Sequence, residues 1–195
     1  MCKYCQKIDT QTKFVILMHP KEFKKVKNNT GHFTHQSLVN SELFVGIDFT
    51  KHARVNEIIQ THQSYILFPS HEAVDISLTH PKKSDKPLAI FLIDSTWACT
   101  KSIFYHSKNL QKLPHMSFTT ERTSAYEIKE QPQQNYLSTI ESTLVVLEAL
   151  SQHQIESITN EQLQSFLDPF YKMIAYQKAL ISNPKSNAVR FKRYK

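Results

Sequence analysis

Glycine occurs only twice in the 195 residues, at Gly31 and Gly46. A GxGxxG dinucleotide loop or a GxxxxGK phosphate loop needs glycines at fixed short spacing, where the chain turns tightly and the backbone approaches phosphate. This pair cannot supply either spacing. Rossmann-type binding by a Gly-rich loop is excluded, and with it the usual Rossmann methyltransferase.

The class of fold follows from how the apolar residues are grouped. Short apolar runs bounded by polar residues recur at Phe14 to Met18, Leu43 to Ile47, Tyr65 to Phe68, Leu88 to Ile93 and, more weakly, Met116 to Phe118. Several are apolar at consecutive positions, as in strands of a parallel sheet covered on both faces by helices. Between them, Val55, Ile58 and Ile59 repeat at helical spacing, as do Trp97, Lys101 and Phe104 in the stretch 96–109. Strand and helix alternate, so an α/β fold is expected, with a mostly parallel sheet flanked by helices. After Pro132 the pattern becomes wholly helical. Ile140, Leu144, Leu147 and Leu150 share one face of a helix over 138–153, and Ser138 with Glu141 is a capping-box pair at its start. A second helix from Thr159 to about Ile181 carries Leu163, Phe166, Phe170 and Ile174 on its inner face, with a kink expected at Pro169. The simplest partition is one domain over 1–182 and a basic tail over 183–195, a length sufficient for a real core without disulfides.

Charge is distributed unevenly. The chain carries 24 Lys plus Arg against 17 Asp plus Glu. Seven of the bases and none of the acids lie in the last 24 positions, so residues 1–171 are formally neutral. A basic arm of that kind fits a polyanion partner. The longest apolar run, Leu88 to Ile93, is far short of the roughly 20 residues of a membrane helix, and the N-terminus has no signal-peptide core. A soluble, cytoplasmic protein with no membrane association is expected, and three cysteines fit a reducing compartment.

The segment Leu88 to Ala98, LAIFLIDSTWA, carries the clearest chemistry. An apolar strand ends in Asp94, Ser95 and Thr96, and Trp97 opens the next helix. Ligands of open α/β sheets collect at the carboxyl ends of strands, where helix N-terminal amides also point. Asp94 is therefore placed to meet a substrate or to take a proton from one. The alternative is an Asp or Ser N-cap with Trp97 as core.

Asp94-Ser95-Thr96-Trp97 after an apolar strand resembles the D-x-T-W signature of the DTW-domain family. Further matches follow in order: His19-Pro20-Lys21-Glu22 after the first strand, Asn29-Thr30-Gly31, Phe68-Pro69-Ser70 after the third strand, and Leu137-Ser138-Thr139-Ile140-Glu141 opening the late helix. The resemblance covers nearly the whole chain. It implies a SPOUT-like fold with a C-terminal knot, which binds S-adenosylmethionine without a Gly-rich loop. It also implies transfer of the 3-amino-3-carboxypropyl group of S-adenosylmethionine to N3 of a uridine in tRNA, with release of 5'-methylthioadenosine. A non-catalytic RNA-binding module of the same fold and an S-adenosylmethionine-dependent RNA methyltransferase are the alternatives.

On this reading Asp94 is the general base that removes the N3 proton. Thr30, Phe68, Pro69, Ser70, Ser95, Thr96, Trp97, Ser138 and Thr139 form the cofactor cradle, with Trp97 either against the adenosine or bracing the loop, and Ser138 also a cap. His19, Glu22, Lys24 and Lys25 lie on a substrate-facing loop, continued by Asn29-Thr30-Gly31, where Gly31 permits close approach or a positive φ. In the tail, Arg190, Lys192 and Arg193 anchor the RNA backbone, with Phe191 and Tyr194 available to stack on bases. Family members commonly carry a four-cysteine zinc site near this end; Cys2 and Cys5 form a single CxxC, and a closed zinc site needs four ligands, so no metal is expected. Ten histidines form no HExxH, and His32 and His35 share a turn only if that stretch is helical. Oligomeric state is left open.

Overall fold

The structure is a computed structural model in which residues 4–25, 29–126 and 136–182 are described, Lys25 and Trp97 by their backbone alone. Six strands form one sheet: β1 (Lys13–Met18), β2 (Ser41–Val45), β3 (Gln63–Leu67), β4 (Val74–Asp75), β5 (Leu88–Asp94) and β6 (His115–Ser117). Their spatial order is β2-β1-β5-β3-β6-β4, and every ladder is parallel. The helices are α1 (Pro20–Lys25), α2 (Thr30–Ser37), α3 (Ala53–Thr61), α4 (Trp97–His106), α5 (Thr139–Gln152), α6 (Asn160–Ser165) and α7 (Asp168–Ser182), with a 3-10 turn at Leu110–Lys112. The α/β expectation is met.

The central strands read as continuous apolar runs because both of their faces are covered. Phe14 and Ile16 of β1, with Ile90 and Leu92 of β5, point to a core completed by Phe33 of α2, Ile140, Leu144 and Leu147 of α5, and Phe170 and Ile174 of α7. Val15 and Leu17, with Ala89 and Phe91, point the opposite way into a second core with Val55 and Ile58 of α3, Ile103 of α4 and Leu110. Side chains alternate along a strand, so each strand feeds two cores. Each large apolar side chain so buried contributes about 1.5–3 kcal/mol.

Residues around the late helices depart from expectation in one respect. The single kinked helix from Thr159 is two helices, separated at Phe166–Leu167. Pro169 lies in the first turn of α7, where its missing N–H is one that would have no intrahelical acceptor anyway, so it starts a helix instead of kinking one. Glu156, buried in the turn after α5, accepts the Gln11 N–H at 3.0 Å and the Thr12 N–H at 2.6 Å, tying the entry to β1 to this region. The path joining Tyr126 to Tyr136, on which the expected knot depends, lies outside the described residues. No helix among the described residues is long and apolar enough to cross a membrane.

The strand order fixes where a ligand can sit. From β1 the chain passes through α1 and α2 to β2 on one side, whereas from β5 it passes through α4 to β6 on the other. The connections diverge between β1 and β5, leaving a crevice beyond their carboxyl ends. Met18 and Asp94 are paired across that divide.

Candidate active site at the carboxyl ends of the central strands

Three helices begin around Asp94. α4 follows it directly, with Thr96 as N-cap. Thr139, the first residue of α5, donates its hydroxyl to Asp94 Oδ1 at 2.6 Å. α2 brings Gly31 so close that a Cβ built there would lie 2.5 Å from both Asp94 Cγ and Oδ2. Gly31 does not have a positive φ, so glycine is required by the close approach alone. Helix N-termini favour negative charge, and the Asp94 carboxylate, 5% exposed, stands among three of them.

The stretch expected as a loop at Asn29-Thr30-Gly31 is the cap and first turn of α2. Asn29 Oδ1 accepts the His32 N–H at 2.8 Å, and Thr30 and Gly31 are buried. His32 and His35 therefore do lie on one helix, and among the described residues no set of three or more His, Cys, Asp or Glu suited to a metal occurs. Cys2 lies outside them, and Cys5 is half-buried with its Sγ 3.8 Å from Gln36 Oε1.

His19 ends β1 and starts α1. Its N–H donates to the Asp94 carbonyl at 3.2 Å and its carbonyl accepts the Glu22 N–H at 2.9 Å. The Lys21 N–H donates to His19 Nδ1 at 3.1 Å, which puts the ring proton of the neutral form on Nε2. Burial lowers the His19 pKa, Lys21 adds to the shift, and Glu22 opposes it. Ser95 shares a 2.7 Å hydrogen bond with Thr100 Oγ1. Thr96 is exposed.

On the other side of β5, Phe68 leaves the end of β3, stacks on Phe104 of α4 with ring centroids 5.3 Å apart and meets His115 edge-on. Pro69 and Ser70 are exposed at the same edge of the sheet. Glu22 is half-buried and Lys24 exposed on α1. The structure thus gathers His19, Thr30, Asp94, Ser95, Thr96, Ser138 and Thr139 at one crevice, with the Phe68–Ser70 segment one strand away. The side chains of Lys25 and Trp97 and the whole of Arg190, Lys192 and Arg193 fall outside the description.

A model of the DTW domain matches residues 1–178. The chain belongs to the DTW-domain family. It is 29% identical over 171 residues to tRNA-uridine aminocarboxypropyltransferase 2 of Drosophila melanogaster, covering 85% of this chain and 64% of the fly protein. It is 33% identical over 88 residues to the Mus musculus protein of that name, covering 45% of this chain and 30% of the relative. The Macaca fascicularis protein of that name is 29% identical over 112 residues, with 57% and 36% covered. The chain spans less than two thirds of the length of these relatives. No solved structure matches it.

Two residues of this DTW domain have a larger place in the site than the sequence disclosed. Glu141 was visible only as half of a capping box, yet its carboxylate accepts four donors. Oε2 takes the Ser138 N–H at 2.8 Å, the Ser138 hydroxyl at 2.5 Å and the Ser124 hydroxyl at 2.8 Å, and Oε1 takes the Ala125 N–H at 2.8 Å. The Ser138 hydroxyl proton is therefore already engaged. Glu141 fastens the irregular segment 122–126 to the helix end that holds Asp94 through Thr139. Tyr126, in that segment, packs edge-on against Phe170. Burial raises its pKa, and the charges of Asp94, Glu22 and Glu141 raise it further, which sets the phenol near the same acidic site. Nothing periodic marks residues 122–126, so only the fold reveals them.

Proposed function

We propose that this DTW protein transfers the 3-amino-3-carboxypropyl group of S-adenosylmethionine to N3 of a uridine in tRNA. The names of its relatives support that activity. The observation that carries it is Asp94, a nearly buried carboxylate at the divergence of the central strands, held by Thr139 and surrounded by three helix N-termini.

The crevice fits such a donor in its chemistry. The positive ends of the helices suit its amino-acid carboxylate, and the Asp94 and Glu22 carboxylates suit its cationic sulfonium. Thr30, Phe68, Pro69, Ser70, Ser95, Thr96, Trp97, Ser138 and Thr139 would hold it. When bound, S-adenosylmethionine supplies an activated carbon, so that an N3–Cγ bond forms while the S–Cγ bond breaks and 5'-methylthioadenosine leaves as a neutral thioether. The protein decides which carbon is presented in line, which separates aminocarboxypropyl transfer from methyl transfer. Uridine N3 becomes nucleophilic only when its proton leaves, and Asp94 accepts that proton. Thr139 fixes the orientation of the carboxylate, and Gly31 admits the helix end that backs it. On this reading His19, Glu22, Lys24, Lys25 and the tail residues Arg190, Lys192 and Arg193 would contact the RNA.

The test is a product analysis. The protein is incubated with unmodified tRNA and S-adenosylmethionine, and nucleosides and small products are identified by mass spectrometry. Methylthioadenosine together with an N3-modified uridine is expected. S-adenosylhomocysteine would make the protein a methyltransferase, and neither product would leave a binding module.

A further inference from the structure

α4 follows directly from Asp94, and the surface that begins on its exposed side carries lysines and a tyrosine. Residues 95–120 contain Lys101, Lys108 and Lys112 and no Asp or Glu. Lys101 and Tyr105 are four apart and share one side of α4, and Lys108 follows just past the Ser107 cap. All three are exposed, Tyr105 to 70%. The Lys108 ammonium lies 5.3 Å from the centroid of the Tyr105 ring. Lys112 continues the row on the 3-10 turn. Lys51 flanks it, since Thr50 beside it accepts the Lys108 N–H at 3.0 Å and donates to the His106 carbonyl at 3.0 Å. Asp48 is an exposed acid on this side, close enough to Lys51 and His106 for their charges to lower its pKa further, after its hydrogen bonds to Thr50. Lys101 and Lys112 have no ion pair among the described residues.

We propose that this surface, running from Lys101 and Tyr105 of α4 through Lys108 to Lys112 of the following 3-10 turn, is a docking track for the RNA strand that delivers its base to the site. The proposal rests on the tRNA reading above. The chemistry favours RNA over another polyanion because an exposed aromatic ring stands between two lysines: the ammonium groups meet phosphates and the ring takes a base on its face. The placement fits too. At about 1.5 Å per helical residue, Tyr105 is roughly 12 Å along the axis from Trp97, a separation of about two nucleotides from the end of β5. The track belongs to the described body of the molecule and is separate from the basic tail.

Binding of unmodified tRNA to the full chain at several salt concentrations tests it. Lys101→Gln with Lys108→Gln should weaken binding about tenfold at moderate salt and lower the slope of log affinity against log salt by about two. Tyr105→Ala should weaken binding about tenfold with little change in slope, and Tyr105→Phe should restore it. S-adenosylmethionine affinity and the melting temperature should stay at wild-type values in each. Wild-type tRNA affinity and slope in the double glutamine variant would overturn the track while leaving the functional reading intact. A wild-type chain that binds no tRNA would overturn both. Wild-type binding to phosphatidylserine vesicles as tight as to tRNA would overturn RNA as the partner of this face.

Discussion

Two regions of the molecule, the late helices and the surface beginning on α4, put their charged side chains to different use. From the start of α5 into the first turn of α7, residues 138–171 include Glu141, Glu148, Glu156, Glu161 and Asp168 and no Lys or Arg, with Lys172 and Lys178 further along α7. Three of these acids fasten the fold: Glu141 binds residues 124, 125 and 138, Glu156 binds the entry to β1, and Glu148 pairs with Arg122 at 2.8 Å. On the α4 side the lysines are solvent-facing and hold nothing together. Within the formally neutral residues 1–171, acids of one region are engaged in structure while Lys101, Lys108 and Lys112 of the other are exposed. The net charge pointed only to the tail; the fold shows a second basic surface in the body.

The sharpest break between the sides is expected in stability. Glu141→Ala would leave four donors without their acceptor and should cost about 2–4 kcal/mol in denaturant unfolding, with the 122–126 segment exposed to proteolysis. Gly31→Ala comes next. Its methyl would press on Asp94 and should cost about 1–3 kcal/mol while sharply lowering turnover, because the carboxylate must move. A variant as stable and as active as the wild type would mean that the approach of α2 to Asp94 is not needed.

Acid should weaken both sides of the sheet, through His19, His32 and His35 around α1 and α2 and through His62 at the end of α3. Burial lowers the pKa of all four below the ordinary 6.5, so the unfolded chain takes up protons first as the pH falls. Their contribution to stability is complete above that value and is lost as the pH drops through the folded values. The melting temperature should fall as the pH drops below the ordinary 6.5, and His19→Gln should reduce that fall. The smallest effect belongs to the basic side: Lys112→Gln should change unfolding free energy by less than about 0.5 kcal/mol. A large loss there would erase the contrast.

The parts of this arrangement that were legible in the sequence are those where burial leaves a pattern. β1 and β5 are apolar at consecutive positions because two cores claim them, and α5 shows its inner face and its cap. β4 left no pattern, since two residues, Val74 and Asp75, pair only with Met116 and Ser117. α2 was hidden because Thr-Gly-His-Phe-Thr-His-Gln-Ser has weak helix formers, and it is held by the Asn29 cap and buried Phe33 instead. The break before α7 went unseen because Pro169 signals either a kink or a start. In the site, Asp94 could be named from its place after a strand, but its contacts with Thr139 and Gly31 join residues far apart in sequence. Those contacts, and the position of Glu141 behind them, are properties of the fold.

Single-turnover formation of methylthioadenosine by Asp94→Asn beside the wild type asks whether Asp94 removes the N3 proton during aminocarboxypropyl transfer. A folded variant with retained S-adenosylmethionine binding and a rate lower by about a hundredfold or more is expected. Near-normal turnover by Asp94→Asn would remove Asp94 from the mechanism.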